Sequence, residues 1–285
     1  MVTKEIVHHK DLLEWCWAAD DELIPKPFFT SCYLLDGVLI DTGAPKGQLD
    51  FTSFIKELLT TNSVSKCLIT HTHEDHIGGT HVLSEEFEIP LYASVEALPL
   101  LETASNYVYA EYRDLYWGSG LHSVNAQPIP TKIQTKSQNY ELKVLSVPGH
   151  APDQIAFIES EQEWAFVADA VLPKYQVLFG HTCNIQEDIA LIYDSIRKIF
   201  DATEGMDNLK IFVSGKGVFN GRNYIKKRLE EITTLHNDVH GYKLKKLAPE
   251  QILEEMFGGE GIMGIMTNGE LSHLNLINSL YQWNA

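Results

Sequence analysis

Three histidines and an aspartate fall within six residues, as His71, His73, Asp75 and His76 of the run Leu68-Ile69-Thr70-His71-Thr72-His73-Glu74-Asp75-His76-Ile77-Gly78-Gly79. Imidazole nitrogens and carboxylate oxygens are the donor set zinc accepts, and other borderline divalent metals accept it too. The run follows apolar residues that read as a buried strand. Residues i and i+2 at a strand's end project to one side, so His71 and His73 can converge on one ion. The chain must then turn, which aims Asp75 and His76 at an adjacent position. Chance seldom packs four such donors between a strand and Gly-Gly, so the spacing predicts a metal site rather than a loop of solvated histidines.

Two later residues stand in similar places. His150 follows a strand and sits in the Gly- and Pro-bounded loop Pro148-Gly149-His150-Ala151-Pro152-Asp153, which presents its side chain. Asp169 follows an apolar strand over residues 164–167. Alone, either is more often structural. Beside the first cluster each becomes a candidate fourth or fifth ligand.

The elements that must position these side chains alternate. Residues up to Pro25 and Pro27 read as polar and Trp-containing, without a strand. Two apolar runs then flank Asp36-Gly37, a strong hairpin signal because both turn positions take positive φ. Phe51, Phe54, Ile55, Leu58 and Leu59 recur at helical spacing, residues 66–70 read as the strand delivering the metal motif, and 77–86 as a helix. Short strands are expected at 91–93, 140–147, 154–159 and 164–167, and a last one at 210–213. A helix is expected over 189–200, and Tyr109, Tyr112 and Tyr116 share a helical face that reads as packing. From Asn223 onward the pattern is helical. Strands alternating with helices, with candidate ligands just past strand ends, are how layered α/β proteins place chemistry at one sheet edge.

Composition bounds the partners. The 285 residues hold 22 basic and 39 acidic groups, a formal charge of −17, which disfavours attraction to nucleic acid or an anionic membrane. Residues 221–248 run the other way, with seven basic groups against three acidic, so a local patch could still touch a polyanion; a solvated helix face explains it as well. No apolar run is long enough to span a bilayer, and the N-terminal stretch lacks the apolar core of a signal peptide. Cys16, Cys32, Cys67 and Cys183 form no CxxC pair and read as free thiols of a reducing cytoplasm.

His71-Thr72-His73-Glu74-Asp75-His76, then Pro148-Gly149-His150, then Asp169, resembles in order and strand-end context the signature of the metallo-β-lactamase fold superfamily. Ile40-Asp41-Thr42-Gly43 resembles that family's early strand-end aspartate, and residues 187–200 with the tail around Leu271-Ser272-His273-Leu274 resemble the branch near glyoxalase II and β-lactamase-like protein 2. The resemblance implies an α/β four-layer αβ/βα sandwich over residues 1–220 with a C-terminal helical extension over 221–285. It also implies a first metal on His71, His73 and His150, a second on Asp75 and His76, and Asp169 between them. Zinc is the expected ion, with iron or manganese as alternatives and one or two ions per chain.

One departure stands out. The superfamily's last ligand is usually a histidine in a Gly-His-Gly turn after the final core strand, and here that turn reads Ser214-Gly215-Lys216-Gly217. An ammonium repels a metal ion unless it loses its proton. Lys216 therefore points to an empty or weak second site, to an amine ligand, or to an anchor for an anionic substrate group; the first and third together are the favoured reading. His181, His236 and His273 are weaker candidates to replace the missing ligand. A bound zinc lowers the pKa of its water to about 7 and so supplies hydroxide at neutral pH. The expected activity is thus hydrolysis of a small ester, thioester or lactone. Asp75 would orient the nucleophile or accept its proton, Asp41 would fix a ligand imidazole, and Lys174, Tyr175 and Lys216 would line the substrate pocket. The alternatives are a mononuclear iron dioxygenase of the persulfide-dioxygenase type, a phosphodiesterase or ribonuclease, and a non-catalytic metal-binding protein.

Overall fold

A computed structural model describes residues 1–22, 26–61, 63–107, 110–180 and 187–284. Pro25, Tyr109, His181 and Cys183, singled out above, lie outside these residues. The first sheet follows the chain in order. It comprises β1 (Val2–His9), β2 (Leu12–Ala18), β3 (Thr30–Leu35), β4 (Val38–Ile40), β5 (Lys66–Leu68), β6 (Leu91–Ala93) and β7 (Gln127–Pro128). The pairs from β1 to β4 are antiparallel, and those from β4 to β7 are parallel. The parallel pairs need crossovers, supplied by α1 (Gln48–Thr60), α2 (Glu74–Ile77), α3 (Leu98–Glu102) and α4 (Glu111–Trp117).

The second half begins with β8 (Lys132–Gln134), β9 (Glu141–Ser146), β10 (Ile155–Glu159) and β11 (Trp164–Phe166). Next come β12 (Leu178–Phe179), α5 (Ile189–Ala202), β13 (Lys210–Val213) and β14 (Gly217–Asn220). The tail holds α6 (Arg222–Leu244), α7 (Pro249–Phe257), α8 (Ile262–Met266), β15 (Leu271–Ser272) and α9 (His273–Gln282). The second sheet runs β14-β13-β11-β10-β9-β8, and β12 pairs with β15 apart from it.

Three apolar clusters define the layers. One packs α1 and its neighbours on the outer face of the first sheet, through Trp17, Phe51, Phe54 and Ile55. A second lies between the sheets, where Leu12, Tyr33 and Leu68 meet Phe157, Phe166 and Phe212. The third joins the outer face of the second sheet to α5, α6, α7 and α9, with Ile192, Ile225, Ile252 and Leu276 in one cluster. Each large apolar side chain so buried contributes about 1.5–3 kcal/mol relative to exposure. The order is helix, sheet, sheet, helix, the four-layer sandwich expected.

Several local expectations need correction. The N-terminal residues form the β1–β2 hairpin. β1 is a polar, mostly exposed edge strand and β2 is buried along nearly its whole length, so neither alternates as a half-buried strand would. The strand at 210–213 is not the last, because β14 returns antiparallel to it and β15 interrupts the helical tail. The helix expected at 77–86 is α2 followed by a wide turn over Val82–Glu86. Asp36 and Gly37 do take φ of 41° and 80°, as the hairpin requires.

Candidate metal centre

β5 ends at Leu68 and the chain carries His71 and His73 out of the sheet before α2 begins at Glu74, so Asp75 and His76 stand in that helix's first turn. Several bonds fix this segment. The Thr30 hydroxyl donates to the Asp75 carbonyl at 2.7 Å, and Thr42 donates to the His76 carbonyl from both its amide and its hydroxyl. Gly78 follows because a Cβ there would collide with Pro45. The second sheet meets the first at this edge, where the Ile155 amide donates to the Thr70 carbonyl at 2.8 Å. β10 is entered through the loop carrying His150, and Asp169 lies just past β11. With its amide oriented to suit its neighbours, Gln154 accepts from the Asp169 and Ala170 amides at 3.1 and 2.9 Å, tying these two strand ends together.

The imidazoles converge. Ring centroids lie 4.5 Å apart for His71–His73, 4.6 Å for His73–His150 and 5.2 Å for His71–His150. One nitrogen from each of these three lies within 4.8 Å of the others, and one atom each from His71, His76 and Asp169 meet the same limit. Asp169 Oδ2 is 3.4 Å from His150 Nε2 and 3.7 Å from His76 Nε2, and Asp75 Oδ2 is 3.5 Å from His76 Nε2. All six ligands expected from the sequence are therefore in one place.

The far sides of the His71, His76 and His150 rings are committed. His76 Nδ1 donates to Asp41 Oδ2 at 2.8 Å. The Thr70 hydroxyl donates to that same oxygen at 2.7 Å and can accept from His71 Nδ1 at 3.0 Å. His150 Nδ1 donates to Glu187 Oε1 at 2.7 Å. These bonds leave Nε2 of His71, His76 and His150 with a lone pair facing inward, and none of the three has a hydrogen-bond partner although all are buried. Buried polar atoms are rarely left so. A cation between His71 and His150 explains two of these orphaned nitrogens, while His76 Nε2 faces the carboxylates of Asp75 and Asp169. The donor set fits a metal, and His71, His73 and His150 with Asp169 would hold it.

Electrostatics agree with that fit at His71 and His73. Burial pushes His71 and His73 well below the ordinary imidazole range, helped by the neighbouring rings, so both stay in the neutral form that ligates. Burial opposes charge at His76 too, but the carboxylates of Asp75 and Asp41 outweigh it and hold that ring up. At His150, Glu187 and Asp169 likewise outweigh burial. Burial works against an ionised Asp169, yet His76, His150 and Lys216 hold it down at about 2.

Lys216 stands in the turn after β13. Its Nζ lies 3.2 Å over the centroid of the Phe28 ring, and burial pushes it down against the pull of Asp169 and Asp75. Lys174 and Tyr175 line a cavity of about 490 Å³ with Gln176, Lys227, Leu235 and Phe257. The Tyr175 hydroxyl is spent on the backbone, donating to Ala170 and accepting from Leu172, so it braces the turn after Asp169. His236 packs on Trp283 and His273 on Phe257, within the helical tail.

Sequence reasoning missed three residues. Glu187 had been read only as leading into α5, whose N-cap is Asp188. Arg113 makes a bidentate pair with Glu74 at 2.6 and 2.8 Å, both side chains buried. Asp153 lies buried behind His150, and burial pushes it up to about 6. Only its place before the helix start Asp188-Ile189-Ala190 could have hinted at the first, and nothing local marks the other two.

A model of the metallo-beta-lactamase superfamily matches residues 25–206. The chain is 28% identical over 169 residues to an atrochrysone carboxyl ACP thioesterase of Passalora fulva, covering 58% of this chain and 41% of that protein. It is 27% identical over 188 residues to the hydroxyacylglutathione hydrolase GloC of Haemophilus influenzae, covering 62% of this chain and 82% of that protein. The chain thus spans less than half of the fungal thioesterase and most of the bacterial hydrolase. Among solved structures, a metallo-beta-lactamase from Pontibacter korlensis superposes with a TM-score of 0.60 at 17% identity, covering 81% of this chain and 99% of the other. At that identity the likeness speaks for the fold alone.

Proposed function

The chain belongs to the metallo-beta-lactamase superfamily, and from that premise we propose that it is a metal-dependent hydrolase of small thioesters. The observation that carries the reading is the convergence of His71, His73 and His150 within 4.8 Å, with the unpartnered Nε2 atoms of His71 and His150 turned inward beside Asp169. When bound at such a centre, a divalent cation with an open position supplies a water ionised near neutral pH and a charge against the oxygen that becomes anionic. Zinc suits three imidazoles and a carboxylate.

The chain's own residues supply the rest. His71 and His73 bind as neutral rings, His150 binds on losing its Nε2 proton, and Thr70 and Glu187 fix the tautomers of His71 and His150. Asp75, 3.5 Å from His76 and not fully buried, is placed to orient the attacking water and accept its proton. Lys216 stands in the turn that bonds to Ala168 beside Asp169, and its ammonium offers a partner to an anionic substrate group. The thioester choice is favoured by the relatives, of which one acts on an acyl carrier protein thioester and another on a hydroxyacylglutathione. Cys16, Cys32 and Cys67 are free and buried, which suits a reducing cytoplasm. Among the described residues no helix is long and apolar enough to cross a membrane.

A panel of acyl-glutathione and acyl-pantetheine thioesters beside carboxylic esters, lactones and phosphodiesters tests the reading. Thioesters are expected to turn over fastest, and His150→Ala should lose metal and turnover together. A His150→Ala chain that loses its metal yet keeps full rate would end this mechanism.

A further inference from the structure

The family turn after β13 carries Lys216 where a histidine is usual, and the structure shows what surrounds it. Three donors lie on this side of the centre: His76 Nε2, Asp75 Oδ2 at 3.5 Å from it and Asp169 Oδ2 at 3.7 Å. They are the seat a second ion would take. The Lys216 turn sits next to this seat, because the Ser214 amide donates to the carbonyl of Ala168, the residue before Asp169, at 3.3 Å. No carboxylate comes within ion-pair distance of Nζ among the described residues, and its close contact is the face of Phe28.

This lysine is not a loose surface side chain. Gly215 takes φ +64°, and a Cβ there would run into the Phe29 carbonyl, so the turn lies flat against the segment that leads into β3. The Gly215 amide donates to Ser31 Oγ at 3.0 Å, and the Ser31 amide donates to Ser214 Oγ at 3.0 Å. The Ser31 hydroxyl donates in turn to Glu14 Oε1 at 2.6 Å, and Glu14 Oε2 meets His8 Nε2 at 2.6 Å. A buried polar chain from the N-terminal hairpin therefore fixes the turn, and the turn fixes the direction of Lys216. The aromatic face of Phe28 and the carboxylates of Asp75 and Asp169 favour the charged amine, against burial, which pulls the other way.

We infer that the Lys216 ammonium is a resident cation standing in for a second metal ion, so that the centre holds one metal per chain. This rests on the hydrolase reading of the same site. A fixed positive charge beside Asp75 and Asp169 offsets their negative charge and repels a dication from the seat that they form with His76. The lysine also removes the donor a histidine would have supplied.

Elemental analysis of the full-length chain, loaded with excess zinc and desalted, tests the inference. One zinc per chain is expected for the wild type and for Lys216→Arg, which keeps the charge. Two are expected for Lys216→His, which restores a donor, and a rise above one for Lys216→Ala, which only removes the charge. If circular dichroism shows that Lys216→His does not fold, Lys216→Ala decides. Two zinc ions per wild-type chain with thioester turnover intact would overturn this inference alone, as would a count of one in folded Lys216→Ala. A chain that retains no metal would overturn the hydrolase reading and this inference together.

Discussion

At His150 the proton on Nδ1 is held by one oxygen of Glu187, while the other oxygen accepts the Phe179 amide at 2.8 Å. A carboxylate can accept from both donors, whereas an amide has a single acceptor oxygen. Glu187→Gln should therefore turn an NH₂ group against either His150 or Phe179 and loosen the ring. Bonds of this kind to metal-ligating histidines are worth about 10–100-fold in metal affinity. That loss is expected in competition with a chromophoric chelator, with circular dichroism unchanged; undiminished affinity would show that Glu187 orients nothing. The candidate ligands were legible, because four crowd into His71–His76 and two stand just past strand ends. Glu187 was not. It lies 37 residues from His150, and only tertiary packing decides which donor a carboxylate meets.

Between elements, the Glu74–Arg113 pair joins α2, which bears Asp75 and His76, to α4 on the rim of the centre. Both side chains are almost wholly buried, at 0% and 5% exposure, so neither charge can fall back on water. Removing one partner of a buried pair costs about 3–5 kcal/mol, because the other charge is left uncompensated. Arg113→Ala should lower stability by that order in urea unfolding, and adding Glu74→Gln should recover much of it. A single-mutant loss below about 0.5 kcal/mol, the usual effect of a surface substitution, would contradict the clamp. The long-range pairing of these helices left no trace in local pattern. What could be read were elements with a clean period, such as the Asp36-Gly37 hairpin and the apolar face of α1. The edge strand β1, buried β2 and four-residue β14 escaped because one is polar, one buried on both faces and one too short to show alternation.

Across the whole molecule, two sheets press one apolar layer between them and bring their strand ends to a common edge. There the Ile155–Thr70 bond and the Gln154 amide link the halves. The helical tail shares an apolar cluster with β13 and α5, so it braces the sheet that presents His150, Asp169 and Lys216. The layer order followed from alternating strands and helices together with the family resemblance, while the tail's share in the core became visible only from packing. The direct test of the whole arrangement is thioester turnover by the folded chain before and after metal is stripped with a chelator and restored. Loss of turnover on stripping, and its recovery on adding back one equivalent of zinc, is the expected result. Full turnover by the metal-free chain would contradict a hydrolase built on these histidines.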